Sequence, residues 1–481
     1  MKIRLLLLIT VIVCTYSAHG QSQTCTCESN FAWLKSTFEE NDAGFQYAID
    51  TKGQSAYTAH NQATIEKIQT ATTTIECLEL LSEWLTFFRL GHIGIEPSLR
   101  VLQTIPQTKD CAVNFAEFEQ YIAAKTEFDY EGIWEEIDNQ YIGIRKVGND
   151  YVDFTINSDG GQASQLKLKI QQQNEKWETT VFRHNRKPEV SGKPELIGKN
   201  YLQIGRLMLK RTQPAVEEHD VNIDKYLQSF HASMPYLEEL NATTLYLRIP
   251  SFDQSQKTLI DSVLRANRDK ILKTKNLIID IRNGTGGSDN SYAELLPFLY
   301  TNPIRTVGVE FLSTALNNRR FWEFANSPAY HDVFDENTRN LFNEYYEQLQ
   351  SRLGKFVNLS GDAVSVFHQD TVYEYPKQVG IIINQGNGST DEQFLLSAKQ
   401  STKVKLFGSP TMGVLDISNM YSISSPCEDF TLWYGLSRSL RIPYMTIDGI
   451  GIQPDYYLDK TIPSYKWVDF VNEILEGTSN N

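Results

Sequence analysis

Ser389 stands in the run Asn387-Gly388-Ser389-Thr390-Asp391-Glu392, between the apolar segment VGIIIN and the amphipathic segment DEQFLLSAKQ. A strand-to-helix turn would put its hydroxyl at a helix N-terminus, where the partial positive charge favours a developing alkoxide. The backbone N–H groups left unpaired there can face an oxyanion. The same residue types also cap helices, so Ser389 or Thr390 would equally serve as a plain N-cap. A second loop, Asp280-Ile281-Arg282-Asn283-Gly284-Thr285-Gly286-Gly287, follows the buried run NLIIDI. Its glycines permit positive φ and close approach of a ligand, but the Gly-Lys-Ser/Thr ending of a phosphate loop is absent. Asp280 and Arg282 read as braces of that loop. A third turn, Asp448-Gly449-Ile450-Gly451-Ile452-Gln453-Pro454-Asp455, offers two turn-capping carboxylates. Far upstream, the helical run SEWLTFFRL ends at Gly91, a C-cap signal, and His92 follows. Of the eight histidines it has the most constrained setting, at a helix end between two apolar runs.

The elements that must hold these residues fall into distinct textures. Residues 1–20 read as a signal peptide, with Lys2 and Arg4, an apolar run Leu5 to Val13, and small residues at Ala18 and Gly20. That run is too short to span a membrane, and no later apolar stretch is long enough, so export to a periplasm or the extracellular space is expected. Residues 21–127 read as helical, with apolar residues recurring at three and four. Residues 128–212 alternate over five to seven residues between Gly/Asn/Asp turns, which predicts a small antiparallel sheet or partial barrel of five or six strands. From 213 to 476 strands and helices alternate, as an α/β layer requires. The 481 residues carry 45 Lys+Arg against 59 Asp+Glu, and the net charge of -14 argues against nucleic acid as a partner. Five cysteines remain beyond the leader, an odd number, and Cys77 with Cys111 is the pairing expected. Cys25-Thr26-Cys27 lacks zinc-site spacing, and neither metal nor cofactor is implied.

Six pieces in order, FFRLGHIGI, YLRIPSF, LIIDIRNGTGGSDNSYAELLPFL, GIIINQGNGSTDEQF, FGSPTMG and IDGIGIQPD, resemble the tail-specific (C-terminal-processing) serine proteases. The resemblance implies a crotonase/ClpP-like α/β core and a Ser nucleophile in the pattern S-x-x-E-x-F, here Ser389, Glu392 and Phe394. Where one branch of the family has a Lys base after T-x-G, this chain has Val414. It is more similar to the branch of the tricorn core and the chlamydial secreted protease, which use a His ahead of the core and an acid in E-G-x-G. His92 matches the His and Asp448 the acid. Gly286 and Gly287 match the Gly-Gly turn that supplies oxyanion N–H groups, with Thr390 as a further donor. Gly284 occupies the place of the usual Asn in D-x-R-x-N-x-G-G. The segment 128–212 does not read as the PDZ domain many relatives carry.

The activity so implied is hydrolysis of a polypeptide through an acyl-enzyme, with Ser389 as nucleophile, His92 as base and Asp448 orienting the imidazole. The alternative is a non-catalytic peptide- or hydrophobic-ligand-binding protein on the same scaffold. A Ser-Lys enzyme using Lys399, Lys403 or Lys405 is a third option.

Overall fold

The structure, a computed structural model, describes residues 25–104, 114–136, 140–156, 162–163, 167–173, 176–182, 189–284 and 286–477. The expected leader and Cys111 lie outside the described residues. Four segments dominated by aliphatic residues, Thr244–Arg248, Asn276–Asp280, Gln378–Ile383 and Val404–Gly408, lie side by side and parallel. They are buried almost throughout, as a parallel sheet covered on both faces must be. Tyr236–Glu239 adds an antiparallel edge and Tyr456–Tyr457 a short parallel one.

Alternation along each strand assigns its side chains to the two faces. Leu277, Ile279, Ile381 and Ile383 pack with Ile260 and Leu264 of the helix Lys257–Ala266 and with Phe394 and Leu395 of the helix Thr390–Ala398. Ile278 and Ile382 point the other way, onto Trp467, Val471 and Leu475 of the helix Trp467–Glu476. At about 1.5–3 kcal/mol for each fully buried aliphatic side chain, this packing fixes where the strands end. The loops after Asp280 and Ile383 therefore leave adjacent parallel strands at their C-terminal ends, the side where ligands bind in such sheets.

A second sheet joins Gly94–Pro97, Ile417–Ser424, Phe430–Ser439, Val309–Leu312 and Phe356–Val357. The N-terminal helices Cys27–Asn41, Phe45–Lys52, Gln54–Ile68 and Thr74–Thr86 do not form a core of their own. Leu34, Phe38, Leu81, Trp84 and Leu85 share one apolar cluster with Phe430, Leu432 and Tyr434 of the second sheet. Capping boxes at Thr26 and Thr73 start two of these helices. Disulfides Cys25–Cys427 and Cys27–Cys77 tie the first helix to the sheet and to the fourth helix. The expected pairing of Cys77 with Cys111 is thus corrected: Cys27 sits in the first turn of a helix packed against the one bearing Cys77.

Among the described residues between Gly132 and Gln213 ten strands form one sheet, where five or six were expected, all antiparallel except the two-residue strand Gln162–Ala163. The short strands Glu189–Ser191, Glu195–Ile197 and Tyr201–Ile204 account for much of the difference, because three or four residues leave little alternation to read. Arg211 anchors its base: the guanidinium lies over Trp134 and donates to the carbonyls of Asp129, Glu131 and Lys199.

Candidate active site

Ser389 is the N-cap residue of the helix Thr390–Ala398, and its backbone is held at φ 59°, ψ -122°. Positive φ is uncommon for a residue with a side chain, and such strain persists only where the surroundings impose it. Glu392 imposes it. One carboxylate oxygen accepts from the Thr411 hydroxyl at 2.5 Å and the Gly413 N–H at 2.7 Å; the other accepts from the Val414 N–H at 2.9 Å and the Ser389 N–H at 3.2 Å. Burial raises the Glu392 pKa while these four donors oppose the shift. The Glu of the S-x-x-E pattern is therefore a clamp between the serine turn and the Thr411-Met412-Gly413 turn. Asn387 completes the turn, its side chain donating to the Ile281 carbonyl at 2.5 Å and to Asp391 at 3.0 Å.

His92 also has positive φ, 52°. With Asn283 (φ 59°) and Ser389 it makes three of the five non-glycine residues in this conformation among the described residues. Arg89 shapes the turn. Its guanidinium makes a two-pronged pair with buried Asp42, at 2.7 and 2.5 Å, and also donates to the carbonyls of Gly91 at 3.0 Å and His92 at 2.7 Å. Imidazole Nδ1 lies 2.6 Å from the Ile417 carbonyl. A carbonyl can only accept, so Nδ1 carries the proton and Nε2 presents a lone pair. Burial foremost, and the Arg89 charge after it, lower the His92 pKa below its usual 6.5, against the opposing pull of the Ile417 carbonyl.

The two turns meet at one side chain. A Cβ on Gly91 would lie 2.1 Å from Val414 Cγ1 and 3.6 Å from Cγ2, and one on Gly388 would lie 2.7 Å from the same Cγ2. The residues immediately before His92 and Ser389 thus pack on a single isopropyl group, and both must be glycine for it to fit.

Among the described residues Asp448 forms no hydrogen bond with the imidazole. Its Oδ1 accepts the N–H groups of Leu415 and Asp416, both at 2.7 Å, and burial followed by the neighbouring Asp416 pushes its pKa up to about 6. These two amides precede Ile417, so Asp448 braces the segment whose carbonyl orients His92. Asp416 in turn accepts from Arg441, Thr446 and the Ile447 and Asp448 N–H groups.

Gly286 (φ 70°) lies against the nucleophile, where an added Cβ would come within 2.9 Å of Ser389 Cβ and 3.3 Å of the Thr390 nitrogen. Gly287 pairs with Phe252 in an isolated bridge, and the next amide, that of Ser288, donates to the Phe252 carbonyl at 2.9 Å. Alternation along the extended chain points the Gly287 N–H to the opposite side. Asp280 and Arg282 brace the loop: buried Asp280 takes three bonds from the Arg282 guanidinium and one from its N–H, and its carboxyl is held down at about 2 despite burial.

The three lysines stand elsewhere. Lys399 is at the far end of the helix that Ser389 begins. Lys405 pairs with Gly380 and the Lys403 carbonyl accepts from Val379, both toward the N-terminal ends of the sheet strands. Among the described residues no three His, Cys, Asp or Glu group to hold a metal.

Several contributors escaped the sequence reading. Arg89 and Asp42 are 47 residues apart, and the Ile417 carbonyl carries no side-chain signal at all. Arg206, at the tip of the hairpin joining Tyr201–Ile204 to Leu207–Gln213, reaches from the β-rich sheet to the carbonyls of Asn283 and Gly284 at 2.9 and 3.0 Å. Arg206→Ala should lower kcat several-fold, up to about tenfold, while the denaturation midpoint moves little, since charge-assisted bonds of this kind contribute about 1.5–3 kcal/mol. An unchanged kcat would show that the hairpin does not steady the loop.

With this geometry in view, residues 243–458 match the model of peptidase family S41. This region belongs to that family. The match makes this region a serine-type peptidase. Among solved structures, a CPAF mutant aligns over 94% of this chain and 97% of its own with TM-score 0.50 and 11% identity, a likeness of fold alone. The photosystem II D1 C-terminal processing protease aligns over 91% and 94% with TM-score 0.37 at 11% identity, and the tricorn protease over 94% of this chain and 37% of its own with TM-score 0.39 at 11%. No curated protein matches the chain. The S41 match begins at residue 243, so His92 lies outside it. No helix among the described residues is long and apolar enough to cross a membrane.

Proposed function

We infer that the S41 core here is a crotonase/ClpP-like scaffold hydrolysing polypeptides with Ser389 as nucleophile and His92 as base. The observation that carries this reading is the packing of Gly91 and Gly388 on Val414, which draws the two turns together. Nε2 of the neutral imidazole takes the Ser389 proton as Oγ attacks the carbonyl, then returns it to the leaving amine. The N–H groups of Gly287 and Thr390 receive the oxyanion, a donor of this kind being worth about 3–4 kcal/mol in the transition state. Water then cleaves the acyl-enzyme by the same route reversed. The Ile417 carbonyl holds the tautomer, and Asp448 supports it from behind. Val414 in place of a lysine, and the placement of Lys399, Lys403 and Lys405, speak against a Ser-Lys dyad. The family match speaks against the binding-protein alternative.

A fluorophosphonate probe should label Ser389 stoichiometrically; a folded protein that stays unlabelled would refute the assignment. The pH profile gives a separate check. Catalysis needs neutral His92, and its pKa is lowered, so kcat/KM should persist below pH 6.5 and fall only at more acid values. An acid limb at or above 6.5 in peptide hydrolysis would overturn the lowered His92 pKa. Export completes the reading, supported by the leader-like residues 1–20 and by two disulfides, which persist in oxidising compartments.

A further inference from the structure

Exposed apolar side chains gather at the turns that bear the reacting groups. Leu90, two residues before His92, is 84% exposed; Met412, two residues before Val414, is 51% exposed; Ile450, two residues after Asp448, is 59% exposed. Single apolar residues on a surface are ordinary, whereas several at one place mark a contact site. Backbone bonds hold these turns together. The Met412 N–H donates to the Asn387 carbonyl at 2.8 Å, the Gly449 N–H to the Gly413 carbonyl at 2.9 Å, and the Thr411 N–H to the Ile452 carbonyl at 3.2 Å. Leu90 joins the group through Gly91, which packs on Val414.

Met412 reaches furthest toward the nucleophile. A Cβ on Gly388 would lie 3.5 Å from Met412 Cβ and 3.6 Å from its Sδ. The thioether therefore runs along the residue that precedes Ser389, with half its surface open. Segments 90–95 (LGHIGI), 409–415 (SPTMGVL) and 449–452 (GIGI) contain no Asp, Glu, Lys or Arg, in a chain where 22% of residues are charged. The charges at their borders are engaged elsewhere: Arg89 with Asp42, Asp416 with Arg441, and Asp448 with the Leu415 and Asp416 N–H groups. A charged substrate side chain entering here would lose water and meet no counter-ion.

We propose that Met412 is the specificity-determining residue of the peptidase site. With Leu90 and Ile450 it forms an apolar wall that holds the substrate side chain next to the scissile bond. Polypeptides are then cut beside long apolar residues such as Leu or Phe, and not beside Asp, Glu, Lys or Arg. The unbranched, polarisable side chain of Met412 adapts to apolar groups of different shape, so the selection is by polarity more than by outline. Met412 touches the substrate but moves no proton.

This inference rests on the Ser389 assignment, and the test separates the two. Full-length wild type, Met412→Ala and Met412→Glu are given peptides of one sequence that carry Leu, Phe, Asp or Lys at either residue flanking the scissile bond. Cleavage is read as kcat/KM, and fluorophosphonate labelling is run in parallel. At one of the two flanking positions the wild type should favour Leu and Phe over both Asp and Lys by about tenfold or more, the scale of one methylene in an apolar pocket. Met412→Ala should bring that ratio close to parity. Met412→Glu should favour Lys over Asp at the same position, since the new carboxylate attracts one and repels the other; a merely structural residue would not reverse with charge. All three proteins should label at Ser389. Identical ratios in the three labelled proteins, or a wild type indifferent to Leu and Lys at both positions, would overturn the proposal. So would a folded Met412→Ala that no longer labels, because Met412 would then support the nucleophile instead of selecting the substrate. Absence of labelling in the wild type would instead overturn the Ser389 assignment.

Discussion

Ser389→Ala should reduce kcat by about 10⁶-fold, leaving the residual rate that binding and oxyanion donors supply without a nucleophile. KM for a peptide should change little, since the hydroxyl adds almost nothing to ground-state binding. His92→Ala should cost nearly as much, and the double variant hardly more than either single one, because the two side chains act as a unit in one proton transfer. The fold should tolerate both changes. Ser389 gives up no buried ion pair, and removing the His92 ring frees a single acceptor, the Ile417 carbonyl, at a cost of about 1–3 kcal/mol. Measured kcat values that add as independent losses would mean that His92 serves some other purpose. A Ser389→Ala protein that still cleaves peptides at the wild-type rate would place the nucleophile elsewhere.

The second large effect is expected at Glu392, through both stability and rate. Glu392→Ala leaves four donors, the Thr411 hydroxyl and the Gly413, Val414 and Ser389 N–H groups, without their acceptor. Each buried donor so orphaned costs about 1–3 kcal/mol, so the denaturation midpoint should drop sharply. Where the variant still folds, relaxation of the strained Ser389 backbone should misplace Oγ, and a displacement near 1 Å is enough for about 10²-fold in rate. Glu392→Gln should be intermediate. Its oxygen retains one pair of donors while its amide nitrogen faces the other pair. A wild-type midpoint and kcat in Glu392→Ala would show that the serine turn holds its shape without the clamp.

These expectations differ in how far the chain itself announced them. Ser389 was legible because an apolar strand, a Gly-Ser-Thr turn and an amphipathic helix follow one another within a few residues, so local periodicity locates the turn. The parallel strands were legible for the same reason, as continuous aliphatic runs bounded by glycine and asparagine. The β-rich sheet was legible in kind but not in strand count, its shortest strands falling below the length at which alternation can be read. Asp448 was legible as a turn residue, but its hydrogen bonds to the Leu415 and Asp416 N–H groups were not. Spacing within a turn says which residues sit together, not which of two nearby acceptors reaches an imidazole.

What the sequence determined by itself was the α/β order of the core, the turns that bear Ser389, Gly286 and Gly287, and the helix end that bears His92. Each follows from the preferences of neighbouring residues, which act over a turn or a strand. Tertiary structure alone decided that Val414 joins the two turns, that Arg89 reaches back to Asp42, that the Ile417 carbonyl selects the tautomer, and that Met412 lies along Gly388. Those contacts link positions from a few tens to more than three hundred residues apart, or use backbone atoms that every residue possesses. They exist only once burial of the shared apolar clusters has brought the helices and the two sheets together.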